Sequence, residues 1–64
     1  MKHWKWLSHN AINNGQKGDF ETDSLNKVKQ LARQWEDSII IEQFNEKYSF
    51  IRYKMTNGRL KKIV

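Results

Sequence analysis

Neither cysteine nor proline occurs among the 64 residues, and glycine occurs only three times. Without cysteine no disulfide framework can brace the fold. With His3 and His9 as the only imidazoles, separated by five residues, the Cys/His sets that hold structural zinc are excluded as well. No segment approaches the ~18 consecutive apolar residues of a membrane span, and the start, Met1 to Leu7, is basic but lacks an apolar stretch of signal-peptide length. The expectation is a cytoplasmic protein with no membrane partner. Absent proline and scarce arginine beside abundant lysine, asparagine and isoleucine suit AT-rich codons, and so a phage or other mobile element.

Linkers, repeats and low-complexity tracts are also missing, so residues 1–64 read as a single domain. A chain this short buries only about 60% of the surface it exposes when unfolded. Two remedies remain for so small a core: aromatic-rich packing, for which three Trp, three Phe and two Tyr are the material, and association with a partner or a second copy.

The apolar pattern sets the elements. Trp4 and Trp6 alternate with His3, Lys5 and Leu7, which predicts a half-buried strand over residues 3–8. Asn13-Asn14-Gly15 and Lys17-Gly18-Asp19 tolerate positive φ and turn the chain toward a short second strand around Phe20. Thr22, Asp23 and Ser24 offer capping oxygens to a helix over 23–35. Its apolar face is Leu25, Val28, Leu31, Ala32 and Trp35, and Glu36 and Asp37 mark its end. Ile39-Ile40-Ile41 leads a strand to Phe44, Asn45-Glu46-Lys47 turns it into a strand over 48–55, and Asn57-Gly58 demands a last strand from Arg59 to Val64. The fold class is α+β: a small two-layer domain with one amphipathic helix packed on an antiparallel sheet, in the order β(β)αβββ.

Charge is the most informative feature. Residues 47–64 hold six lysines and arginines and no acid, whereas residues 1–46 set six bases against seven acids, so the whole net charge of +5 belongs to the C-terminal part. Strand alternation puts Tyr48, Phe50, Arg52 and Lys54 on one face and Ser49, Ile51, Tyr53 and Met55 on the other. The second set is the better core face, which leaves two rings and two cations in a row away from the helix. Rings that stack on bases beside cations that neutralise phosphates are how small domains hold single-stranded nucleic acid. The candidate site is therefore Tyr48, Phe50, Arg52 and Lys54, with Arg59, Lys61 and Lys62 extending the phosphate track. The same residues would also serve a solvated edge that resists aggregation.

Other constellations carry less. Asn26, Lys29, Gln30 and Arg33 form a polar row on the outer side of the helix, the ordinary signature of a solvated face. Tryptophans 4 and 6, flanked by Lys2, His3 and Lys5, are core material before they are stacking platforms. Ser8 and His9 are neighbours in sequence, which in a strand sends them to opposite faces and away from nucleophile–base geometry. Gly15-Gln16-Lys17-Gly18 is too short for a phosphate-binding loop, and the carboxylates show no pairing. No catalytic residue, metal ligand or cofactor site is assigned. The reading is a non-enzymatic binding module for nucleic acid, single-stranded in preference. The alternative is a phage- or plasmid-type interaction or inhibitor protein that docks on an acidic partner surface. A homodimer pairing the last strand with its twin is a third reading.

Overall fold

Seven elements follow one another in the computed structural model, which describes residues 3–63: β1 (His3–Leu7), α1 (His9–Asn13), β2 (Asp19–Thr22), α2 (Leu25–Ala32), β3 (Ile39–Gln43), β4 (Ser49–Thr56) and β5 (Arg59–Lys62). The five strands form one antiparallel sheet in the order β2-β1-β3-β4-β5. The α+β class and the antiparallel sheet stand as the sequence led us to expect. Lys2, and Val64 at the end of the expected last strand, lie outside the described residues.

The order βαβαβββ corrects the expected one, because a second helix, α1, fills the connection read as a turn. Its cause is local and distant at once. Ser8 Oγ accepts from Ala11 N at 3.1 Å as the N-cap and donates to Asp37 Oδ1 at 2.5 Å, while Asp37 Oδ2 accepts from His9 N (2.9 Å) and Asn10 N (3.0 Å). Three of the four N–H groups that a helix start leaves without partners are thus taken up by two side chains, and the fourth, Ser8 N, donates to Gly18 O at 2.9 Å.

The main helix is shorter than expected, Leu25–Ala32. Beyond Ala32 the chain tightens to i→i+3 bonds, Gln34 N to Leu31 O and Trp35 N to Ala32 O, so Trp35 sits in a turn and is only partly buried. Ser24 occupies the N-cap position without a side-chain cap.

Trp4 and Trp6 of β1 and Ile40 of β3 meet Ala11 of α1 and Val28 and Ala32 of α2 in one core, so both helices lie on the same sheet face. Trp6 donates from Nε1 to the fully buried Ser38 Oγ at 2.9 Å, and Met55 N donates to Ser38 O at 3.0 Å, pinning the bend before β3 to the centre of the sheet. Asn57 (φ 52°) and Gly58 (φ 77°) close the β4–β5 hairpin with two left-handed residues, matching the twist of the strands.

Candidate binding face

The register of β3 on β4 decides which side chains share a surface. Ile40 faces Tyr53 but Ile41 faces Ile51, so Arg52 is an extra residue, a β-bulge that resets the alternation within β4. On the β3 side Glu42 lies opposite Phe50 and Ile39 opposite Lys54. Ile40 and Glu42 share the helix-bearing face. Phe50 and Tyr53 therefore also point to it, whereas Lys54 points to the far side with Ile39. The expected row of Tyr48, Phe50, Arg52 and Lys54 on the side away from the helix is split by this bulge.

Arg52 joins the helix-bearing face through its side chain. Its Nε donates to Oε1 of Glu42 at 2.9 Å, and its guanidinium lies 5.6 Å and 5.5 Å from the ring centroids of Phe44 and Phe50. Those two rings meet edge to face at 5.6 Å. Glu42 is only 4% exposed, so the guanidinium compensates a carboxylate withdrawn from water.

Helix α2 lies chiefly over β1, β2 and β3, which leaves the same face of β4 and β5 open as a shelf beside it. On this shelf Phe44, Tyr48 and Phe50 are 43%, 60% and 51% exposed, a costly disposition for three rings in one small hairpin. Asn45 Oδ1 shapes the hairpin end by accepting from Lys47 N and Tyr48 N at 2.8 and 3.0 Å. Toward the helix, Tyr53 packs on Trp4 with centroids 6.4 Å apart and carries Lys29 Nζ 4.8 Å above its ring. Trp4, Leu25, Glu42, Arg52, Tyr53 and Lys62 line a cleft of about 170 Å³ at this junction.

The seven residues singled out in the sequence therefore divide. Tyr48, Phe50, Arg52 and Lys62 belong to the shelf, Lys62 through its pairing with Tyr53. Lys54, Lys61 and Arg59 belong to the opposite face, where Lys61 pairs with Lys54 and Arg59 with Thr56. Sequence reasoning missed Phe44, Tyr53 and Lys29 as shelf residues. The phenylalanine was legible by parity with Glu42, but the other two depend on the bulge and on where α2 crosses.

The outer row of the helix is divided as well. Lys29 leans over Tyr53, while Gln30 lines a shallow hollow of about 420 Å³ with Phe20, Lys27, Leu31 and Gln34. Ser8 and His9 stand at the start of α1 and not on a strand. Among the described residues no group of three or more His, Cys, Asp or Glu gathers to hold a metal ion, and no helix is long and apolar enough to cross a membrane.

These elements define the class, a small α+β domain with an open five-stranded antiparallel sheet. No significant match to the chain exists among protein-family models, curated proteins or solved structures.

Proposed function

We propose that the protein is a non-enzymatic module that binds single-stranded nucleic acid on the shelf formed by β4, β5 and the flank of α2. The observation that carries this reading is the pair of exposed rings Phe44 and Phe50 gathered around Arg52, with the exposed Tyr48 in the same hairpin, continued by Tyr53 with Lys29 and by Lys62. Exposed rings offer stacking surfaces that tolerate any base, and the three cations track a phosphate backbone along the shelf. In this reading Tyr48 and Phe50 stack, Lys62 and Lys29 neutralise, and Arg52 holds the rings while presenting its remaining N–H groups. A shelf open along one side suits a flexible single strand better than a rigid duplex.

A second reading keeps the shelf and changes its occupant to an acidic protein surface. The edge-to-face contact of Phe44 and Phe50 favours it, since adjoining rings beside an arginine are also the anchors of protein interfaces.

Fluorescence anisotropy with single-stranded and duplex DNA and RNA, at about 50 and 200 mM salt, separates the two. Single-strand binding that weakens steeply with salt supports the nucleic-acid reading. No binding at the lower salt discards it, and a stoichiometric protein captured from nuclease-treated lysate then supports the second.

A further inference from the structure

Both helices cover one side of the sheet, so among the described residues the other side is bare along all five strands, and its charged side chains follow a gradient. Asp19 and Glu21 stand on it at the β2 edge, facing Leu7 and Lys5 across the β1 register. Its centre holds an aliphatic group, Leu7 opposite Ile39 and Ile41 opposite Ile51, which is 48% exposed, beside Lys5, also opposite Ile41, and His3, opposite Gln43. The β4–β5 side is basic, with Lys54 of β4 opposite Lys61 of β5 and Arg59 two register pairs further along. The face is therefore acidic at its β2 edge and basic on β4 and β5, with the aliphatic group, Lys5 and His3 between.

From this gradient we infer that the bare face is a homodimer interface, in which two copies pack sheet on sheet about a two-fold axis parallel to the strands through β3. A face-to-face pair requires a two-fold lying in the interface plane, and the gradient chooses its direction. With the axis along the strands, β2 of one copy lies over β5 of the other and β1 over β4, so Asp19 falls over Lys61, with Lys54 on the strand beside it, twice over, while Ile39 and Ile41 meet their own copies on the axis. With the axis across the strands, acid lies on acid and base on base.

Sheets packed face to face keep their strands within about 30° of alignment at a spacing of ~10 Å, which these aliphatic side chains fill. The bulge at Arg52 serves this arrangement, because it returns Ile51 to the bare face in register with Ile41. The second copy also supplies the apolar burial that a chain of this size lacks. The inference does not depend on what the shelf holds, since the shelf lies on the other side of the sheet and stays open in the dimer.

Charge-swapped variants test both interface and axis. Sedimentation equilibrium of the nucleic-acid-free protein, from about 10 to 500 µM at ~50 mM salt, is expected to show a monomer–dimer equilibrium. The pair Lys54→Glu with Lys61→Glu, and separately the pair Asp19→Lys with Glu21→Lys, should each weaken self-association more than about tenfold, and an equimolar mixture of the two should associate again. Circular dichroism checks that each variant is folded. Ile51→Glu, at an exposed position, should also give a monomer. A wild-type monomer across the whole range overturns the inference, as does a mixture that associates no better than its parents or an Ile51→Glu protein that dimerises undiminished.

Discussion

Arg52 reaches Glu42 with a 2.9 Å hydrogen bond from the one position in β4 where strand alternation is broken. The bulge and the ion pair depend on each other. Were the alternation unbroken from Tyr53, the guanidinium would share the far face with Lys54, and Glu42, 4% exposed, would lose this partner.

Replacing Arg52 with alanine is accordingly expected to cost about 2 kcal/mol of stability, below the usual cost of breaking a fully buried pair because the arginine is itself 33% exposed. Urea denaturation of Arg52→Ala against Arg52→Lys checks this, with the lysine variant recovering part of the loss.

Asp37 makes a second long-range link with a pH signature. Desolvation pushes its carboxyl up, but the hydrogen bonds from Ser8 Oγ and from Asn10 N and His9 N outweigh it and hold the group below its ordinary value. The unfolded chain then binds the proton more readily than the folded one, so this contribution is complete above the ordinary carboxylate range and is lost as pH falls through the folded value. Urea midpoints measured between about pH 2 and 6 should fall more for the wild type than for Asp37→Asn, whose stability near neutrality should be lower by about 1 kcal/mol.

Gly18 (φ 79°) and Gly58 (φ 77°) share a backbone conformation that strains any L side chain, but only Gly18 is also crowded. A Cβ there would run into the Ile12 side chain and stand 3.0 Å from Ser8 O, whereas one at Gly58 meets nothing within 4 Å. Gly58→Ala should cost about 1 kcal/mol, the conformational strain alone, and Gly18→Ala clearly more. Thermal melts of the two variants compare them directly.

On the shelf, Lys29→Ala with Lys62→Ala should lower the salt slope of single-strand binding by about 1.4, at ~0.7 per phosphate contact. Phe50→Ala should leave the slope unchanged and weaken binding by about 1–3 kcal/mol, the worth of one stacked base. Anisotropy titrations across salt read both quantities from one experiment.

The parts of the fold that were legible are those written in local periodicity. Trp4 and Trp6, alternating with His3, Lys5 and Leu7, announced β1, and Asn57-Gly58 announced the last hairpin. What was not legible depends on residues far apart in the chain. Helix α1 is five residues long, too short to show a period, and its N-terminus is held by Asp37, which in sequence reads only as the end of α2. The candidate face suffered in the same way. Tyr48 and Phe50 were found because they are aromatic and near cations, but assigning Lys54 to their side assumed unbroken alternation, and nothing in Ser49 to Thr56 spells out a bulge at Arg52.

Helix cover also grades the sheet in mechanical firmness. β1, flanked by β2 and β3 and roofed by α2, can open only when the core opens, whereas β5 is a four-residue edge strand held by β4 alone. Backbone amides of β5 should therefore exchange with solvent orders of magnitude faster than those of β1. The least firm part of the sheet is the part that adjoins the exposed rings, so an occupant settling there would announce itself first as slowed exchange in β5.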